Sequence, residues 1–72
     1  MNQKQQLETE YQRFQDKIEE VKKMPPSDER AALFMRLDKI KNYIIFTDKL
    51  IGENKDVGVI IDRIHQLIND LL

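Results

Sequence analysis

The stretch that decides the fold is residues 33–51, LFMRLDKIKNYIIFTDKLI. At about 100° per residue, its apolar side chains form two stripes along a helix rather than one. The first stripe comprises Leu33, Leu37, Ile40, Ile44 and Ile51, and the second comprises Ala32, Met35, Tyr43, Phe46 and Leu50. A helix with this much apolar surface must be covered on more than one side, either by its own fold or by other chains.

A first helix is predicted upstream, from about residue 2 to 24. Its apolar positions are spaced 4, 3, 4 and 3 apart, as in the a/d seam of a coiled coil. They are Leu7, Tyr11, Phe14, Ile18 and Val21. The acidic residues that lie off this seam are expected to face solvent; they are Glu8, Glu10, Asp16, Glu19 and Glu20. Pro25 and Pro26 end the helix, and Ser27 is expected to cap the next one.

The second helix is predicted over residues 28–51, with Gly52 in the left-handed conformation that commonly follows a helix. Asp56 is expected to cap a third helix over residues 57–72. The apolar residues of that helix cover one arc and are Val57, Ile60, Ile61, Ile64, Leu67, Ile68, Leu71 and Leu72. The predicted fold is therefore all-α, with an antiparallel helical hairpin and a shorter third helix in a single domain, residues 1–72. As the central element, the second helix would offer one stripe to each neighbour.

Length and composition favour completion of this small bundle by oligomerisation. The chain has 72 residues, and domains of this size commonly need a disulfide, a metal or a partner subunit for stability. It contains no cysteine and one histidine, which closes the disulfide route and argues against a structural zinc site. Of the three routes, oligomerisation remains.

The sequence favours a non-enzymatic protein without metal or cofactor. Asp62 and His65 have the spacing of a metal-binding pair on one helical side, but the further carboxylates of such a site are missing. His65 is therefore interpreted as a residue at the edge of the core. Gly52 and Gly58 are the only glycines, so a glycine-rich phosphate loop is absent.

Charge disfavours nucleic acid and membrane as general partners. Twelve basic and thirteen acidic residues give a formal net charge of −1. Proteins that bind nucleic acid or anionic membranes through general electrostatic attraction usually carry an excess of basic residues, which this chain lacks. The basic candidates for a phosphate contact are Lys22, Lys23, Arg30, Arg36, Lys39 and Lys41. The first residues lack the apolar segment of a signal peptide, and no apolar run is long enough to cross a bilayer. The expected location is the cytoplasm.

These observations predict a small protein-interaction module, such as an adaptor, an inhibitor or an assembly factor. It would self-associate or bind a partner helix through apolar helix faces. The predicted partner-binding residues are Phe34, Ile45, Phe46 and Leu50, because Phe34 and Ile45 lie among charged residues and the other two lie at the margin of a stripe. The alternatives are a dimeric nucleic-acid-associated regulator and a small-molecule pocket between subunits.

Overall fold

The computed structural model describes residues 2–71, and this part of the chain folds into three helices. They are α1 (Gln3–Lys22), α2 (Asp28–Gly52) and α3 (Gly58–Asn69). The predicted all-α fold is confirmed, and residues 2–71 contain no strand. Helix α1 ends before Met24 because Pro25 disfavours helical geometry at the residue that precedes it. Helix α3 is shorter than predicted, and the expected contribution of Leu72 lies outside the described residues.

The three helices contact one another in all three pairs, and their directions alternate along the chain. The start of α1 lies beside the start of α3, where Gln3 hydrogen-bonds to Asp56. The end of α1 lies beside the start of α2, where Arg30 Nε donates to the carbonyl oxygen of Val21. Helix α2 is therefore antiparallel to α1, as predicted, and α3 runs parallel to α1.

One continuous core joins the three helices, and both α1 and α3 pack on the same side of α2. The buried apolar residues are Leu7, Phe14, Val21, Leu33, Leu37, Ile40, Ile44, Val57, Ile61, Ile64, Ile68 and Leu71. The first stripe of α2 supplies four of them, with Ile51 packed at its edge. Within residues 2–71, none of the helices combines the length and the apolar character that a membrane span requires.

The second stripe of α2 does not form a second core face, which corrects the expectation from the sequence. Tyr43 and Leu50 are half-buried against the core, whereas Ala32, Met35 and Phe46 are exposed. The physical reason is the placement of the neighbours, because one broad stripe suffices when both helices pack on the same side. The apolar residues of α2 that the core does not cover therefore include Met35 and Phe46 as well as Ile45.

The predicted seam of α1 packs in or against the core at Leu7, Phe14, Ile18 and Val21, and is wrong at Tyr11. Glu10, expected in solvent, is 5% exposed, whereas Tyr11, expected in the core, is 46% exposed. The centre of the stripe formed by Leu7, Phe14 and Val21 lies about 40° from Glu10 and about 60° from Tyr11 at 100° per residue. Glu10 thus lies nearer to the core direction, and polar partners on α1 and α3 allow its burial.

The caps differ in how well the sequence predicted them. Ser27 caps α2 as expected, since its hydroxyl accepts from the backbone N–H of Arg30 at 3.1 Å. For α3 the N-cap is Val57 rather than Asp56, which lies one residue earlier. The Oδ1 atom of Asp56 accepts from the N–H of Gly58 at 3.0 Å and from the side chain of Gln3 at 2.7 Å. These two hydrogen bonds, the first more than the second, lower the pKa of Asp56 below its ordinary value of 3.8.

The prediction that Gly52 follows α2 in the left-handed conformation is wrong. The helix continues through Gly52, and the residue with positive φ is Asn54, at 61°. The N–H of Asn54 donates to the carbonyl oxygen of Ile51, and the N–H of Lys55 donates to that of Leu50, each at 3.0 Å. This pair of bonds is a Schellman motif, in which asparagine tolerates the conformation that glycine more often adopts.

Substitutions at these two positions are expected to change stability in opposite directions. Gly52→Ala should raise the free energy of unfolding by about 0.5 kcal/mol, because alanine is the better helix former and a Cβ there meets no atom within 4 Å. Asn54→Ala should lower it by about 1 kcal/mol, because alanine is strained at positive φ. Urea unfolding followed by helical circular dichroism measures both. A greater loss at Gly52 than at Asn54 would contradict this assignment.

Candidate interaction surface

The four predicted partner-binding residues do not form one cluster. Phe34 and Leu50 are half-buried and pack against the core, whereas Ile45 and Phe46 expose 57% and 52% of their surface. Phe34 and Ile45 are separated by about 16 Å along α2, given a rise of 1.5 Å per residue. Although Ile45 and Phe46 are adjacent in sequence, they point about 100° apart around the helix. The exposed residues therefore belong to two neighbouring surfaces.

Phe34 closes one end of the hairpin within the monomer. The guanidinium of Arg30 lies over its ring, 5.0 Å from the ring centroid, in a cation–π contact. The same side chain donates through Nε to the carbonyl oxygen of Val21 at 3.3 Å, so that Arg30 connects the last turn of α1 to the first turns of α2. Phe34 is therefore covered by contacts within its own chain, whereas Ile45 exposes 57% of its surface.

The first exposed surface is a groove of about 290 Å³ between the start of α1 and the end of α2, here called the α1–α2 groove. Tyr11 and Ile45 form its exposed apolar walls, above the buried Leu7 and Ile44. Three charged side chains complete its lining, and they are Lys4, Glu8 and Asp48. An apolar centre with charges around it is the typical arrangement of a protein-binding patch.

The second exposed surface is a shallow depression on the outer side of α2, here called the α2 depression. Met35, which is 75% exposed, and Phe46 lie eleven residues apart and therefore at nearly the same angle around the helix. They line the depression together with the half-buried Tyr43 and with three polar residues, Asp38, Lys39 and Asn42. The α2 depression adjoins the α1–α2 groove around the circumference of the helix.

Tyr11 and Met35 are the residues of these surfaces that sequence reasoning missed. Both belong to stripes that the sequence predicts to be core, because apolar residues at helical spacing are usually buried. No signal in the sequence corrects Tyr11, because its angle to the core differs from that of Glu10 by only about 20°. The sequence offers no signal for Met35 either, because the second stripe of α2, to which it belongs, is as apolar as the buried first stripe.

A polar cluster that the sequence did not predict joins α1 to α3 on another side of the bundle. The carboxylate of the buried Glu10 accepts from Arg13 Nη1 at 2.5 Å, and His65 Nδ1 lies 2.7 Å from its Oε2 atom. Arg13 Nη2 also donates to Asn69 Oδ1 on α3. With hydrogen on Nδ1, His65 donates to Glu10. With hydrogen on Nε2, His65 Nδ1 instead accepts from Arg13 Nη1, which lies 2.7 Å away. His65 therefore has a specific structural partner that its position in the sequence did not indicate.

The geometry of this cluster indicates a structural role, because its contacts hold α1 against α3. Among residues 2–71, no buried side-chain nitrogen or oxygen lacks a hydrogen-bond partner, so the polar groups of Glu10 are satisfied within the fold. The described residues contain no group of three or more His, Asp or Glu side chains arranged to hold a metal ion. Asp62, which was considered with His65 as a metal-binding pair, has no role in the cluster.

Comparisons with known proteins do not assign these surfaces. No protein-family model matches the chain, and no significant match was found among curated proteins or among solved structures.

Proposed function

We propose that this chain is a small, non-enzymatic protein-interaction module that acts in the cytoplasm as an adaptor, inhibitor or assembly factor. The observation that carries the proposal is the exposed apolar surface of α2, where Met35 and Phe46 line the α2 depression and Ile45 lines the neighbouring α1–α2 groove with Tyr11. Large apolar side chains gathered on one side of a monomer are characteristic of contact with another protein. Self-association and binding of a partner helix would both use this surface.

The alternative of a dimeric nucleic-acid-associated regulator has less support from the basic side chains. Lys22 lies 3.5 Å from Glu19, and Lys17 lies 3.4 Å from Glu20, so both have an acidic neighbour on the same helix. Arg30, a further candidate for a phosphate contact, is held against Phe34 and Val21. Together with the net charge of −1, these contacts favour protein over nucleic acid as the partner.

The proposal is tested by substituting the exposed residues and measuring association. The chain is tagged, expressed in its native host and cross-linked, and the proteins recovered with it, including untagged copies of itself, are quantified by mass spectrometry. Ile45→Asp and Phe46→Asp should each reduce recovery of a partner at least about tenfold, because a charge placed in an apolar contact must be desolvated.

The matched control is Val59→Asp, which also places a charge at an exposed apolar position. Val59 is 84% exposed, belongs to α3 and lines neither surface, so this variant should recover the same proteins as the unaltered chain. Equal recovery by all three variants would refute the proposal. Retention on DNA or RNA that weakens as salt increases would support the nucleic-acid alternative instead.

A further inference from the structure

We infer that the α1–α2 groove binds a second copy of this chain, related by a two-fold axis that runs along the groove. The inference rests on the proposed function and names the occupant of one of its two surfaces. It is carried by the charges of the groove, by the antiparallel direction of its two helices and by the area available on this side of the molecule.

The charges of the groove are complementary to those of the same groove after a two-fold rotation. Because α1 and α2 are antiparallel, Lys4 near the start of α1 and Asp48 near the end of α2 lie at the same end of the groove. Rotation by 180° about the length of the groove lays α1 of one copy on α2 of the other. Lys4 of each copy then faces Asp48 of the other, which gives two equivalent ion pairs, as an isologous interface requires.

The apolar walls occupy the middle of such an interface. Tyr11 and Ile45 flank the groove on opposite sides, so the rotation places Tyr11 of one copy on the side where the other copy presents Ile45. An aromatic ring against a branched aliphatic side chain, surrounded by polar residues, is a common centre for a protein interface. Rotation about an axis across the groove would instead lay α1 on α1 and bring Glu8 against Glu8, which like charge disfavours.

The size of the molecule is also consistent with a dimer through this side. Its extents are 41 × 18 × 16 Å, so a side along the long axis has an outline of roughly 660–740 Å². A stable interface of ordinary size takes about 800 Å² from each partner. Both helices must therefore contribute, as the two-fold arrangement along the groove has them do. A dimer would also supply the oligomeric stabilisation that a chain of 72 residues without cysteine commonly needs.

Charge reversal in two separate chains tests the inference. Lys4→Asp and Asp48→Lys are prepared as single variants, and sedimentation equilibrium measures the dissociation constant of each alone and of their equimolar mixture. Each variant alone should dimerise at least about tenfold more weakly than the unaltered chain, since both ion pairs become like-charged contacts. In the mixture every contact of the heterodimer again joins Lys to Asp, so affinity should return to within about threefold of the original value.

The mixing step distinguishes contacts between chains from damage within one chain. Each variant carries a single substitution, so an affinity restored by mixing must come from contacts between the two chains. Urea unfolding of each variant at concentrations where it is monomeric provides the control for folding. Three outcomes would overturn the inference: a monomeric unaltered chain, a dimer that neither substitution weakens, or weakened dimers that mixing does not restore. If one of these occurs while partner recovery still depends on Phe46, the proposed function stands without the dimer.

Discussion

Ile64→Ala is expected to lower the free energy of unfolding by about 3 kcal/mol, within the range of 2–5 kcal/mol typical of large-to-small changes in a core. Ile64 is fully buried on α3, inside the cluster that joins the three helices. A chain of this length has about 4–11 kcal/mol of stability in total at ordinary values per residue, so the variant loses a large part of it. Urea unfolding followed by circular dichroism should show a lower midpoint with an unchanged slope.

Val59→Ala is the matched control for this experiment. It makes the same change from a β-branched residue to alanine on the same helix, but Val59 is exposed and its truncation opens no cavity. Its effect should lie within about 0.5 kcal/mol of zero. The difference between the two variants then measures the lost burial and the cavity together, rather than helix propensity. A loss of less than about 1 kcal/mol at Ile64 would contradict the packing of α3 described above.

The parts of the fold that depend on local chemistry could be predicted from the sequence. Pro25 and Ser27 mark the turn between α1 and α2, because proline removes a donor and serine supplies a cap. The stripe from Leu33 to Ile44 is buried as predicted, because a spacing of 4, 3 and 4 residues places all four side chains on one face of a helix. These features need no knowledge of what lies across the core.

The parts that depend on the placement of neighbouring helices could not be predicted. Whether the stripe with Met35 and Phe46 meets another helix depends on where α3 packs, and a helical pattern alone does not specify that direction. The end of α2 is a separate, local ambiguity, because either Gly52 or Asn54 can follow a helix in the left-handed conformation. The dimer that we propose through Lys4 and Asp48 likewise could not be predicted, because it depends on which helices line the groove.

The burial of Glu10 shows the same limit at a single residue. Its angle to the core differs from that of Tyr11 by about 20°, less than the scatter of real helices allows a pattern to resolve. What decides between the two residues is the presence of Arg13 and His65, which lie close enough to hydrogen-bond the carboxylate. His65 lies 55 residues further along the chain, so the pairing becomes visible once the fold is known.

Glu10→Ala is expected to lower the free energy of unfolding by about 2 kcal/mol, which is roughly a thirtyfold change in the unfolding equilibrium. The substitution removes the carboxylate that accepts from Arg13 and contacts His65, and it leaves a void between α1 and α3. Hydrogen bonds to a charged group in a partly buried site are stronger than those between neutral groups, which places this loss above that of an ordinary polar contact. Urea unfolding at neutral pH measures it.

Glu19→Ala is the control for the loss of a carboxylate, because Glu19 lies on the same helix and pairs with Lys22 while exposed to solvent. It should change stability by no more than a few tenths of a kcal/mol. Glu10→Met then separates the contribution of side-chain volume from that of the charged hydrogen bonds, because methionine fills a similar volume without a carboxylate. Arg13 and His65 are both partly exposed and can turn to water, so a methionine that fills the void should recover at least half of the loss. Equal losses for alanine and methionine would instead show that the charged hydrogen bonds, rather than the filled volume, hold α1 against α3.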